Sequence, residues 1–242
     1  KENKKMEKNN PFFVFIKKNI SLAAFVILFV LFSCTTAGKF LRVSNLLSVL
    51  TASTDLLICS LGATFIILMG SIDLSVGSMI SLCGVIAAKI YLSTNSIVVT
   101  LLAAVLVSIA CYLFMGVIHT QLKVPTFIVT LGMLSIARAL VTMVSGGSIT
   151  MIDYNGKIKQ IFGLRPWILI IAIGLFVIVW VVEKFTLFGR FTRLVGGDEN
   201  VARLSGVNVK KQKILVFLFA GLLTAIGGIV MAARIGSGSP SV

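Results

Sequence analysis

The chain has 242 residues, of which 57% are apolar and only 12% are charged, and its formal net charge is +14. Soluble domains contain about 25% charged residues, so this composition excludes an ordinary soluble globular domain and indicates that a lipid bilayer surrounds much of the chain. We expect no nucleic-acid partner, because the basic residues cluster in two segments, as they do in the cytoplasmic loops of membrane proteins.

Seven apolar runs are long enough to cross a bilayer, since a spanning helix needs about 20 mostly apolar residues. We predict an all-α fold, a polytopic transmembrane helical bundle, with a cytoplasmic tail over residues 1–19 and a transmembrane domain over residues 20–242. The first run resembles a signal peptide, but the later runs favour an uncleaved helix. The predicted spanning helices cover residues 20–37, 45–69, 74–92, 97–118, 125–144, 166–183 and 214–234.

The distribution of lysine and arginine predicts the orientation of these helices. With the N-terminus in the cytoplasm, the cytoplasmic segments hold twice as many cations as the outward-facing segments, which is the bias that cytoplasmic loops carry. Two loops are long. We expect residues 145–165 to face outward and residues 184–213 to face the cytoplasm.

Small residues recur within the predicted helices. Gly221 and Ala225 are four residues apart, as are Gly228 and Ala232. Because this spacing lets helix backbones approach closely in lipid, we predict that the helices pack on each other or on a second copy of the chain.

A polar junction, GSIDLSVGS at residues 70–78, separates two apolar runs. It could be a cytoplasmic turn, in which Asp73 caps the next helix through the amide of Ser75 or Val76 and glycines permit the turn and close packing. The alternative is a helix break beside a solute pathway, where amides and hydroxyls contact a polar solute. The candidate residues are Gly70, Ser71, Asp73, Ser75 and Gly77.

Two charged residues lie inside predicted spanning helices. An intramembrane carboxylate such as Asp55 indicates a functional site, unless the helix begins later and Asp55 lies near an interface; the sequence leaves both possibilities open. Arg138 could pair with a carboxylate, extend its charge to the interface or face a water-filled cavity. His119, by contrast, is predicted to be a solvated loop residue without a catalytic or metal role.

The segment DENVARLSGV within the loop 184–213 predicts a short helix. Asp198 is a suitable N-cap, Gly206 a suitable C-terminal stop, and Val201, Leu204 and Ala202 give a small apolar face. Such a helix fits the groove of a protein partner. The alternative is a helix that lies on lipid headgroups, which the two acidic residues at its start make less favourable.

The sequence lacks the motifs of common catalytic and nucleotide-binding sites. It contains no G-x-x-x-x-G-K-[ST], no H-E-x-x-H, no G-x-S-x-G and no CxxC pair. We therefore predict a transport component rather than an enzyme, with no metal site and no cofactor of its own.

Three stretches of the chain are characteristic as a set: TFIILMGSIDLSVGSMISLCGVIAA (Thr64–Ala88), VPTFIVTLGMLSIARALVTMVSGGS (Val124–Ser148) and the long block from FGRFTRLVGGDENVARLSGV to GSGSPS (Phe188–Ser241). Together they resemble one family, the ribose/galactoside-type ABC sugar importer permeases. The resemblance covers most of the chain from Asn45 onward. Members of the family continue beyond GSGSPS with further helices, so this chain is expected to lack a C-terminal part, either as a fragment or by natural truncation.

The resemblance implies a permease subunit for a monosaccharide, in the bacterial plasma membrane. It implies three partners: a second permease, a cytoplasmic ATPase that binds ATP and Mg, and an extracytoplasmic sugar-binding protein. It also makes the loop 184–213 the coupling loop that docks on the ATPase, through Asp198, Glu199, Asn200, Ala202, Arg203, Ser205 and Gly206. Two alternatives remain, an ion-coupled secondary transporter with Asp55 or Asp73 as the ion site, and a truncated scaffold that transports nothing. The sequence does not indicate which sugar is moved.

Overall fold

The computed structural model describes residues 20–36, 38–152 and 156–239. These described residues fall into two compact units, one up to Leu50 and the other from Thr51 onward. In chain order the elements are α1 (Ile20–Thr35), α2 (Val43–Ala52), α3 (Thr54–Leu68), α4 (Val76–Thr94), α5 (Ile97–Gln121), α6 (Thr126–Ser145), β1 (Thr150–Met151), α7 (Lys157–Phe162), α8 (Trp167–Phe185), α9 (Leu187–Gly197), α10 (Glu199–Leu204), α11 (Val209–Ile235) and β2 (Ser237–Gly238).

Within the first unit, α1 carries a row of phenylalanines that meets one ring in the following segment. Phe29 contacts Phe40 edge-on with ring centroids 5.4 Å apart, and Phe32 stacks on the same ring at 5.9 Å. The described helix has 16 residues, fewer than a span requires. The first predicted span and the tail 1–19 therefore stay predictions, because the chain before Ile20 lies outside the described residues.

Six of the seven predicted spans are confirmed as helices that are long and apolar enough to cross a membrane. Residues 43–68 count as one such span although the helix is interrupted at Ser53. The last span begins at Val209 and not at residue 214, because the Asn208 side chain caps it by accepting a hydrogen bond from the Lys211 amide at 3.0 Å.

The helix α11 is the central element of the second unit and the most buried of the described spans. It packs against α3, α4 and α5. A Cβ atom on Gly62 would lie 3.3 Å from the backbone of Ala220, and one on Gly84 would lie 3.3 Å from the carbonyl oxygen of Gly228. The prediction that small residues allow close helix packing is thus confirmed.

The second unit has two ends with different structures. At one, which we name the ribbon end, β1 and β2 pair antiparallel, with Thr150 opposite Gly238. At the other, the loop end, α9 lies beside the turn that joins α3 to α4, and α10 packs against α9 and α11. A Cβ atom on Gly196 of α9 would overlap the carbonyl group of Leu68, so glycine is what lets α9 approach this turn. The loop 184–213, which we predict to be cytoplasmic, lies at the loop end.

Candidate coupling helix and polar junction

The N-terminus of α10 is capped as the sequence predicts. One carboxylate oxygen of Asp198, Oδ1, accepts hydrogen bonds from the amides of Asn200 at 2.7 Å and Val201 at 3.1 Å. Glu199 follows in the first turn, where a negative charge is favourable for the helix dipole. Two otherwise unpaired amides are therefore satisfied without help from a partner.

The C-terminus of α10 ends in a Schellman motif. Gly206 adopts the left-handed conformation, with φ of +82°. The amide of Val207 then reaches the carbonyl oxygen of Ala202 at 3.0 Å, and the amide of Gly206 reaches that of Arg203 at 3.1 Å. The predicted glycine stop is confirmed, and both ends of this six-residue helix are fixed by local hydrogen bonds.

The exposed side chains of α10 differ from the predicted contact set in one respect. Ala202 is completely buried, in an apolar cluster that includes Val195 and Val207. It cannot touch a partner, so its place in the contact set was wrong. The other predicted coupling residues are exposed: Asp198, Glu199, Asn200, Arg203, Ser205 and Gly206.

Val201 and Leu204 form the outward apolar face that the contact set omitted. They are three residues apart and therefore lie on one side of the helix. Val201 is 49% exposed and Leu204 is 90% exposed. The sequence grouped both with Ala202, but the structure separates them, because Ala202 lies on the side that faces the bundle.

A hydrogen-bonded cluster joins α10 to the start of α11. The ammonium group of Lys213, whose side chain is only 11% exposed, lies 2.5 Å from Oε1 of Glu199 and 3.2 Å from Nε2 of His119. On the other side of the ring, Nδ1 of His119 lies 2.8 Å from the carbonyl oxygen of Val124. A carbonyl only accepts and an ammonium group only donates, so the ring carries its proton on Nδ1. The expectation that His119 is a solvated loop residue was wrong: it lies in the last turn of α5 and is half-buried.

The polar junction forms a turn between α3 and α4. The Asp73 carboxylate accepts hydrogen bonds from the Ser75 amide at 2.8 Å and the Ser75 hydroxyl at 2.6 Å. The amide contact is one of the two that the sequence predicts. The residue at the N-cap position is nevertheless Ser75, because α4 begins only at Val76, and Asp73 holds the turn that precedes it.

The second carboxylate oxygen of Asp73 ties this turn to the middle of the bundle. It accepts a hydrogen bond from the hydroxyl of Tyr112 at 2.9 Å. The Tyr112 hydroxyl has one proton, which it gives to Asp73, so at 3.1 Å it accepts from Thr224 of α11. Sequence reasoning missed Tyr112 and Thr224. The only available signal was that a buried tyrosine hydroxyl needs a polar partner.

The other candidate residues of the polar junction, Gly70, Ser71 and Gly77, differ in their surroundings. Gly70 has φ of +78° and faces Gly196, as expected of a glycine required by a turn and a close approach. Ser71 is buried. Gly77 lies in the first turn of α4 with open space where a Cβ would be, so the expectation that it permits close packing was wrong.

At the ribbon end, Asp55 forms an ion pair with Arg234. The guanidinium Nε lies 3.2 Å from Oδ1, and Nη2 donates a hydrogen bond to Oδ2 at 3.3 Å. The side chains are 13% and 25% exposed for Asp55 and Arg234. Arg234 lies in the last turn of α11, at the C-terminal end of the predicted span 214–234. Arg138 is exposed on α6, and no described carboxylate pairs with it.

Comparison with known proteins identifies the family. Residues 45–242 match the family described as "Branched-chain amino acid transport system / permease component". The chain belongs to this family. The resemblance to ABC importer permeases is therefore confirmed, and so is the fold, a helical bundle that crosses the membrane several times.

Several curated permeases are similar over most of the chain. The ribose import permease protein RbsC of Escherichia coli strain K12 is 34% identical over 231 residues, which is 91% of this chain and 71% of that protein. The L-arabinose ABC transporter permease protein AraH of Azospirillum brasilense is 32% identical, over 93% of this chain and 67% of that protein. The autoinducer 2 import system permease protein LsrC of Escherichia coli strain SMS-3-5 is 31% identical, over 92% and 66%. No solved structure was found to match.

Proposed function

We propose that this permease component imports a monosaccharide, driven by a separate cytoplasmic ATPase that binds ATP and Mg. A second permease, either a copy of this chain or a homologue, would complete the pathway, and an extracytoplasmic sugar-binding protein would deliver the substrate. The N-terminus would lie in the cytoplasm of a bacterial cell. The names of the ribose and L-arabinose permeases support the substrate class.

The observation that carries the proposal is the construction of α10. It is capped at both ends by its own residues and turns a 90% exposed Leu204 away from the bundle. Its shape is fixed before a partner binds, so binding costs little conformational entropy. A rigid helix with an apolar anchor and a polar rim suits the groove of an ATPase subunit.

A mechanical connection supports coupling from α10 to the helices. Glu199 holds Lys213, which lies in the second turn of α11. Further along α11, Thr224 contacts Tyr112, and Tyr112 contacts Asp73. A displacement of α10 when the ATPase closes would therefore act on the central helix and on the polar junction together. Alternating access would follow as these helices move around the pathway.

The coupling role is tested with Leu204→Asp, matched by Leu204→Met. Neither change removes packing within the chain, but only the aspartate places a charge in the proposed contact. In proteoliposomes with the ATPase and the sugar-binding protein, we expect Leu204→Asp to lower substrate-stimulated ATP hydrolysis and uptake at least tenfold. We expect Leu204→Met to retain both. Equal activity of the two variants would contradict the role of α10.

The substrate class and the energy source are tested by uptake in the same vesicles. We expect ATP-dependent uptake of a labelled pentose or hexose and none of leucine, although the family description names branched-chain amino acids. Uptake that persists without the ATPase, requires an ion gradient and is abolished by Asp73→Asn would instead support the secondary transporter. If no solute is taken up under any of these conditions, the result would support the truncated scaffold that transports nothing.

A further inference from the structure

A cavity of about 700 Å³ lies at the loop end, between the end of α5, α10 and the start of α11. Its size falls in the range of small-molecule sites. Four cationic side chains line it, Lys123, Arg203, Lys210 and Lys213, against the single carboxylate of Glu199. Lys123, Arg203 and Lys210 are exposed to solvent, and an anion in the recess would lower the repulsion between these like charges.

The one carboxylate in the lining is already paired within the chain. Glu199 contacts the ammonium group of Lys213, which also bonds to His119. Lys123, Arg203 and Lys210 have no carboxylate partner among the described residues, and Lys210 donates only to the Gln121 side chain, at 2.9 Å. Three cations from three separate segments are thus left without a counter-charge around one space.

Backbone donors at the start of α11 add to this positive character. Asn208, Val209 and Lys210 line the cavity, and Asn208 caps the helix through the amide of Lys211. The amides of Val209 and Lys210 have no acceptor among the described residues. The first amides of a 27-residue helix carry its positive dipole end, which favours an anion.

The position of Lys123 is held by its surroundings. Its φ is +55°, a left-handed conformation that a lysine rarely adopts. The bond from His119 to the carbonyl oxygen of the next residue, Val124, braces this turn. The neighbouring Leu122 is 70% exposed, which gives the chain an apolar side chain next to the basic one, as at the boundary of a bilayer.

We propose that this cavity binds a phosphate-bearing anion, a chemistry shared by the headgroup of an anionic phospholipid and by free phosphate. Arginine can hold two phosphate oxygens at once, while lysines act as point charges. Basic recesses between spanning helices at the cytoplasmic side suit acidic headgroups. The cavity shares Glu199, Arg203 and Gly206 with the proposed ATPase contact, but anion binding does not depend on sugar transport.

The test compares two triple variants that each remove three positive charges from the loop end. The cavity variant is Lys123→Asn, Arg203→Gln, Lys210→Gln. The control variant is Lys184→Gln, Arg190→Gln, Lys211→Gln, whose residues do not line the cavity. Asparagine is chosen at position 123 because it tolerates the left-handed conformation. Thermal unfolding of all three proteins verifies that the variants fold.

Binding is measured by native mass spectrometry of the full chain with phosphatidylglycerol, with phosphatidylcholine and with inorganic phosphate. We expect the unmodified chain to retain phosphatidylglycerol at least tenfold better than phosphatidylcholine, the control variant to do the same, and the cavity variant to lose this preference. Displacement of the lipid by millimolar phosphate would identify free phosphate as a sufficient ligand, and resistance to it would identify the lipid headgroup.

The proposal is overturned if the cavity variant binds like the control variant, or if the unmodified chain retains neither phosphatidylglycerol nor phosphate. If the triple variant does not fold, Lys123→Asn alone serves, with Lys211→Asn as its control. We then expect at least a threefold loss for the former and no change for the latter. Sugar uptake is a separate measurement, so its failure leaves this result unaffected.

Discussion

The two ends of the second unit differ in how their charged side chains are paired. At the ribbon end, Asp55 and Arg234 neutralise each other at a largely buried contact. At the loop end, four cations share a cavity with one carboxylate. The first arrangement is complete within the chain and holds α3 against α11. The second leaves charge unbalanced where we propose that a partner and an anion bind, so an internal ion pair and an external binding surface can be distinguished by their charge balance.

The largest effect is expected from breaking the ribbon-end pair. Asp55→Asn leaves the guanidinium of Arg234 without its counter-charge, and loss of one partner from a buried pair costs about 3 kcal/mol of unfolding free energy. Unfolding in mixed micelles measures this cost. The double variant Asp55→Asn, Arg234→Gln should be more stable than Asp55→Asn alone, because no charge is left unpaired; a double variant that is less stable would contradict the pair.

The next effect tests how closely α9 approaches the bundle. Gly196→Ala places a methyl group on the carbonyl of Leu68, and such overpacking costs about 2 kcal/mol. Gly174→Ala is the matched control, since it lies within α8 with open space around it. The control should be neutral or stabilising by up to about 1 kcal/mol. Similar unfolding midpoints for the two variants would argue against the contact of α9 with α3.

A smaller effect is expected at the polar junction. Tyr112→Phe removes the hydroxyl between Asp73 and Thr224 while it keeps the ring, and one lost buried hydrogen bond costs about 1–2 kcal/mol. Thr224→Val, which leaves the bond from Tyr112 to Asp73 in place, should cost less. The unfolding free energies of the unmodified chain, the two single variants and the double variant form a double-mutant cycle. Strictly additive costs would show that these three side chains do not act as one network.

The smallest change in stability is expected at the loop-end pair. Glu199 is 47% exposed, so Glu199→Gln should lower the unfolding free energy by less than about 1 kcal/mol. The same substitution releases Lys213 toward the cavity and removes the one carboxylate that lines it among the described residues, so it should raise the retention of phosphatidylglycerol about threefold. Gln121→Ala, which removes an uncharged neighbour of Lys210, serves as the control. A decrease in lipid retention for Glu199→Gln would contradict the proposal that the positive charge of the cavity attracts the lipid headgroup.

The features that the sequence predicts well are those that depend on neighbouring residues. Spanning helices follow from apolar length alone, and the ends of α10 follow from Asp198 and Gly206, whose hydrogen bonds are all local. The six residues of α10 do not determine which side of the helix faces the bundle. The rotation of the helix about its axis is set by the packing of Ala202 against residues that are distant in the sequence.

Contacts between distant residues could not be predicted from one sequence. Asp55 and Arg234 are separated by 179 positions, and Tyr112 meets Thr224 across 112. Each side chain has many possible partners, and nothing local distinguishes the correct one. The sequence therefore identified Asp55 and Asp73 as unusual, but left their roles open until the helices were positioned.

The contacts of α11 have a consequence for movement. At Gly62 and Ala220, and at Gly84 and Gly228, helices touch along bare backbone and not through interlocked large side chains. Elsewhere along α11 a neighbouring side chain fills the hollow over a glycine, as the Tyr112 ring does at Gly221 and the Cys59 sulfur does at Gly227. A shift of α11 along its axis would have to withdraw these two side chains first, so the glycines fix the height of the central helix within the bundle.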